Sequence, residues 1–140
     1  MREIIHTVEV AAAPAAVDRA LTTQDGLSAW WTREVREEDG LIRFTFEKDF
    51  NPVMRVEQHE PGKVVSWSTE SGAEPWAGST IRFELTEREE KTSLLFRHRY
   101  GSDLPDEVFG VFNFNWAYYL ESLRLFCETG TGKPFTPPEG

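Results

Sequence analysis

The stretch IRFELTEREEKTSLLFRHR, Ile81 to Arg99, decides the fold class. Ile81, Phe83 and Leu85 alternate with Arg82, Glu84 and Thr86. After a charged turn, Glu87 to Lys91, Leu94, Phe96 and His98 alternate with Leu95, Arg97 and Arg99. A period of two sends successive side chains to opposite faces of an extended chain, so each half is a strand with one buried and one wet face. The turn between them is far shorter than the dozen or more residues a parallel crossover needs. The two strands form an antiparallel hairpin.

The same pattern repeats upstream. Ile42, Phe44 and Phe46 alternate with Arg43, Thr45 and Glu47, and Met54 and Val56 alternate with Arg55 and Glu57. Beyond the turn Glu60-Pro61-Gly62-Lys63, Val65 and Trp67 alternate with Val64 and Ser66. A short strand around Arg33–Arg36 and an opening strand Glu3–Val10 bring the reading to seven strands. Ile4, His6, Val8 and Val10 share the inner face of the opening strand. Pro14 suits the first turn of a helix that carries Val17, Ala20 and Leu21. Thr23 or Asp25 caps a second short helix, Gly26 to Trp31, with Leu27, Trp30 and Trp31.

Downstream of the hairpin the period changes to 3.6. From Asp106 to Glu128, Phe109, Phe112, Trp116, Leu120, Leu123 and Cys127 form one continuous face of a helix ~34 Å long. Gly130 and Gly132 end it, and residues 133–140 read as an extended tail. The expectation is one α+β domain over residues 1–132, followed by that tail.

Composition narrows the function. The chain has 140 residues, about one ordinary domain, and a formal net charge of −9. That charge disfavours nucleic acid, which is bound through clustered Lys and Arg. The single Cys127 excludes an internal disulfide framework and any multi-thiolate metal site. No His-x-x-x-His spacing and no Gly-rich phosphate loop after a strand is found, so no metal and no cofactor is expected. No apolar run approaches a membrane span and the N-terminus lacks a signal-peptide core, so the expected location is cytoplasmic.

The order of elements, with Ile4…Val8-Glu9-Val10-Ala11…Pro14…Val17…Leu21, Asp25-Gly26-Leu27-Ser28-Ala29-Trp30-Trp31 and Asn115-Trp116-Ala117-Tyr118-Tyr119-Leu120-Glu121-Ser122-Leu123, resembles the START-like (SRPBCC) superfamily. Within it, the chain is most similar to homologues of the heat-shock-chaperone ATPase activator. The resemblance covers residues 3 to about 130. It implies a helix-grip fold: a curved seven-stranded antiparallel sheet, two short helices after the first strand, and a long C-terminal helix across the sheet. It also implies a cavity between sheet and helix for a hydrophobic or amphipathic, lipid-like ligand. It carries no catalytic motif onto particular residues.

The candidate lining is Phe44, Phe46, Met54, Trp67, Phe83 and Phe96 from the sheet, Phe112 and Trp116 from the helix, and Trp30, Trp31 and Trp76 beside them. The same aromatic set could fill a core instead, since each ring buries ~150–250 Å². The Gly72–Gly78 loop, with Glu74, Pro75 and Trp76, is a candidate for the mouth. His98 also faces inward, and His6, His98 and Tyr119 are candidate acid–base groups. His59 lies near a turn. Glu47, Glu57, Glu84, Glu89 and Glu90 read as a solvated acidic face.

Three functions follow. The leading one is a small-molecule binding protein, which a fluorescent fatty acid should enter. The second is a polyketide cyclase, dehydratase or hydrolase acting in the same cavity, and the third a chaperone-associated interaction module. Val111, Phe114, Tyr118 and Leu125 form a second apolar stripe almost opposite Trp116. A helix apolar on both faces is covered on both. The tail, through Phe135, or a second copy of the chain would supply that cover, and a homodimer is expected.

Overall fold

A computed structural model describes residues 2–47, 50–71, 76–101 and 103–138. In chain order the elements are β1 (Glu3–Val10), α1 (Pro14–Thr22), α2 (Gln24–Trp30), β2 (Glu34–Glu38), β3 (Leu41–Thr45), β4 (Val53–Glu60), β5 (Val64–Ser71), β6 (Thr80–Arg88), β7 (Lys91–Arg99) and α3 (Asp106–Thr129). The strands make one curved sheet in the order β1-β7-β6-β5-β4-β3-β2. Every neighbouring pair is antiparallel. The expected helix-grip α+β fold is the one observed.

Local chemistry explains the boundaries. Pro14 opens α1, where its missing N–H costs nothing. Thr23 separates the short helices and caps α2, its hydroxyl accepting from Gly26 N at 3.0 Å. Asp39 and Gly40 both have positive φ, as the two-residue turn between β2 and β3 requires. Gly130, at φ 87°, ends α3 in the left-handed conformation.

The core lies between the inner sheet face and α3. Trp116, Leu120 and Leu123 are buried there, and Trp116 packs on Phe96 with ring centroids 4.4 Å apart. The opposite stripe is bare: Phe114 is 73% exposed, Val111 56% and Tyr118 49%. The tail does not cover it. Phe135 instead runs parallel to Thr32, its N–H donating to Trp31 O at 2.8 Å and its carbonyl accepting from Arg33 N at 2.9 Å. Backbone groups left open after α2 find their partners in the tail rather than along the helix.

Two strand readings need correction. Phe46 and Glu47 fall outside β3, which stops at Thr45; Phe46 N donates to Asn51 Oδ1 at 3.0 Å instead of to a ladder. Val56 is 41% exposed although Met54 is buried, because register shifts flank the Met54–Val56 segment and bend β4.

Candidate functional site

A cavity of about 380 Å³ opens between α3, the end of β3 and the tail. Its floor is built from stacked indoles. Trp31, at the end of α2, lies 5.1 Å from Trp116 and 6.2 Å from Trp76, and Trp76 stacks on Trp116 at 5.9 Å and 14°. The outer wall comes from the segment after β3. Glu47 and Phe50 exchange backbone hydrogen bonds of 3.3 and 3.1 Å, and Phe50 stands edge-on to Trp76 at 4.9 Å. Phe46 closes the near side against Phe135 of the tail (5.5 Å) and Tyr119 of α3 (6.3 Å). Phe112 and Asn115, also on α3, complete the rim.

Of the sequence candidates, Trp31, Phe46, Trp76, Phe112, Trp116 and Tyr119 therefore meet at one cavity. Phe44, Met54, Phe83 and Phe96 are packed inside the core, and Trp30 is buried with its indole N–H donating to Ala20 O at 2.8 Å. Gly72–Pro75 of the expected mouth lie outside the described residues; of the described part, 76–78, Trp76 lines the cavity. Glu47, Phe50, Asn115 and Phe135 line the cavity without having been singled out as lining. Glu47 was read as an outward strand residue, and the early end of β3 turns it onto the rim. The Asn51-Pro52 pair, a turn signal, marks that end in the sequence.

His98 has a different environment from the one a catalyst needs. It is fully buried, and both ring nitrogens are engaged. Trp116 Nε1 donates to Nδ1 at 3.0 Å, and the Tyr100 hydroxyl meets the same atom at 2.9 Å. An indole N–H can only donate, so Nδ1 is unprotonated and the proton sits on Nε2. Nε2 then donates to Ser79 Oγ at 2.8 Å, Ser79 to Thr69 Oγ1 at 2.9 Å, and Thr69 to Met54 Sδ at 3.4 Å. Burial pushes the His98 pKa down to about 3 and raises that of the Tyr100 phenol. His98 is a neutral structural hub beneath Trp116. His6, on β1, sits 6.3 Å from the Phe96 ring, away from the cavity wall; its Nε2 is buried without a partner. Tyr119 is the candidate acid–base group that does reach the cavity. Burial first, then Tyr118 and the Glu47 carboxylate, raise its pKa and keep the phenol protonated.

A second cavity, of about 300 Å³, lies under α1. Trp67 lines it and stacks at 6.2 Å on Trp31, which lines the first. His59 borders it, with Nε2 at 3.1 Å from both oxygens of buried Asp18. Asp18 also accepts from Gly62 N at 2.8 Å, which fastens the β4–β5 turn to α1. Among the described residues no group of three His, Cys, Asp or Glu side chains converges as a metal site. No helix among the described residues is long and apolar enough to cross a membrane.

Comparison with known proteins places this geometry in a family. Residues 11–128 match the model of the Activator of Hsp90 ATPase homolog 1-like proteins. The Aha1 dimer from Colwellia psychrerythraea, solved in solution, is 32% identical, with a TM-score of 0.83 over 94% of this chain and all of that one. CalU16 from Micromonospora echinospora is 19% identical, with a TM-score of 0.70 over 92% of this chain and 78% of its own. MLL2253 from Mesorhizobium loti is also 19% identical, with a TM-score of 0.72 over 88% and 94%. The last two show the shared fold alone. A search of curated proteins finds no match. Matched over most of its length by one family model and similar along nearly all of it to a solved Aha1, the chain belongs to the Activator of Hsp90 ATPase homolog 1-like family, within the helix-grip superfamily.

Proposed function

We propose that the protein binds a small, largely apolar molecule between α3, the end of β3 and the tail. One observation carries this reading: about 380 Å³ of space is left open among rings that would otherwise close on one another. Ligand sites are concave, mostly apolar and few per protein. The neutral, polarity-sensitive dye prodan tests it. Its emission should shift to the blue on titration, and it should quench the fluorescence of Trp31, Trp76 and Trp116. Trp31→Ala should weaken binding several-fold, whereas an unshifted dye at high micromolar protein sinks the reading.

A catalytic reading is supported by the Glu47 carboxylate and the Tyr119 phenol on the same cavity. A carboxylate base and a protonated phenol are a workable pair for proton transfer at a carbonyl. It stands second because Glu47 is exposed to water and the described lining residues include no nucleophile.

The exposed stripe of α3 supports self-association. The Aha1 from Colwellia psychrerythraea is described as a dimer. Val111, Phe114, Tyr118 and Leu125 offer this chain an apolar strip that two copies could bury around a two-fold axis.

A further inference from the structure

Eight of the ten side chains around the cavity are aromatic, and the other two are Glu47 and Asn115. No Lys, Arg or His is among the described residues that line it. The only formal charge among the described lining residues is negative. Glu47 is fastened at the rim by its two backbone hydrogen bonds with Phe50 and makes no ion pair among the described residues. Its carboxylate lies close enough to Tyr119 to act on the phenol electrostatically.

The rings add to that sign. An aromatic face carries the negative end of the ring quadrupole, so a cation within ~6 Å of a ring centroid is attracted and an anion repelled. The protein's net charge of −9 adds a field of the same direction around the mouth. A fatty acid entering here would bring its carboxylate against Glu47, and none of the described lining residues is basic. An ammonium group would meet aromatic rings on several sides and a carboxylate on one. The volume, near the small end of the ~300–1,000 Å³ typical of ligand sites, suits a compact molecule rather than a long acyl chain.

We infer that the cavity selects an organic cation, a compact alkylammonium whose charge rests among Phe50, Phe112, Tyr119 and Phe135 and faces Glu47, and that it rejects anionic amphiphiles. The inference rests on the ligand-binding reading and names the chemistry of the ligand. It replaces the fatty-acid-like ligand that the resemblance implied, because neither the fold nor the rings reveal which sign of charge accompanies them.

Three probes of similar length separate the outcomes: hexyltrimethylammonium, octanol and octanoate, titrated against indole N–H signals in NMR spectra and tryptophan fluorescence. The cation should bind about 10-fold tighter than octanol, and octanoate at least 10-fold weaker than octanol. Rising salt should weaken the cation alone. Glu47→Gln should bring cation and alcohol within about 3-fold of one another. Octanol or octanoate binding as tightly as the cation overturns the inference and leaves the cavity reading standing. A cation preference that survives Glu47→Gln overturns the part given to the carboxylate. If none of the three perturbs Trp31, Trp76 or Trp116, the ligand-binding reading itself falls.

Discussion

At the scale of single residues, His98 shows how far environment overrides chemical type. The same imidazole that acts as an acid–base group in water is here a neutral bridge between Trp116, Tyr100 and Ser79. Its pKa falls from 6.5 to about 3 because burial penalises the charged form. Below about pH 6.5 the unfolded chain therefore binds a proton that the folded chain refuses. Stability from this group is fully present above that pH and is lost as pH falls, by ~1.4 kcal/mol per unit. His98→Gln keeps an acceptor for Trp116 and a donor for Ser79 without the titration. In urea titrations at pH 7 and pH 5, the wild type should lose ~2 kcal/mol more than the variant. Equal losses would mean that His98 takes up its proton in the folded state.

At the scale of elements, the hairpin that decides the fold carries a local cost at its tip. Glu89 and Glu90 form the two-residue turn between β6 and β7 with φ of 51° and 67°. Primed hairpin turns require positive φ at both positions, which Asn-Gly adopts far more readily than two glutamates. Left-handed backbone costs an ordinary residue ~1–2 kcal/mol. Glu89→Asn with Glu90→Gly should raise stability by about 1 kcal/mol in chemical denaturation. Glu89→Gln with Glu90→Gln removes the same two charges and keeps the strain, so a comparable gain there would trace the effect to charge.

The tail is the other element with a single vulnerable point. A Cβ on Gly132 would lie 2.5 Å from Ala29 O and 3.1 Å from Ser122 O. Gly132→Ala should lift residues 133–136 from the domain. It would break the 2.6 Å bond from Lys133 N to Ser122 Oγ and remove Phe135 from the cavity wall. Amide exchange at Lys133, Arg33 and Phe135 should quicken while β6 and β7 stay protected. Unchanged exchange at Phe135 would show that the neighbouring backbone yields instead.

At the scale of the whole molecule, α3 is shared between two roles. One face seals the core through Trp116, Leu120 and Leu123, and the other carries exposed Val111, Phe114 and Tyr118. Asn115 and Tyr119 lie beside this stripe and line the cavity, so a partner helix would sit next to the mouth. Light scattering at high micromolar concentration should give a dimer mass. Phe114→Lys with Tyr118→Lys should give a folded monomer, since neither ring belongs to the core. A monomeric wild type would remove the interface.

The sequence by itself determined the strands, the antiparallel pairing of consecutive ones and the long helix, because period and turn length are local properties of the chain; the place of β1 beside β7 was implied by the family resemblance. The inward places of Ile81, Phe83, Leu94, Phe96 and Trp116 follow from alternation and helical spacing alone. What only the tertiary structure decided is which rings fill and which surround. Phe44 and Phe46 are two residues apart on one alternating run and both are buried, yet only Phe46 also lines the cavity. The difference comes from β3 ending at Thr45 and from a tail some ninety residues away bringing Phe135 onto Phe46. His98 likewise faces inward by alternation, but its partners are set by the fold: Ser79 and Trp116 from other segments, with Tyr100 two residues on, close on its ring. Periodicity reports which face a side chain takes; what meets it there depends on contacts between segments far apart in the chain.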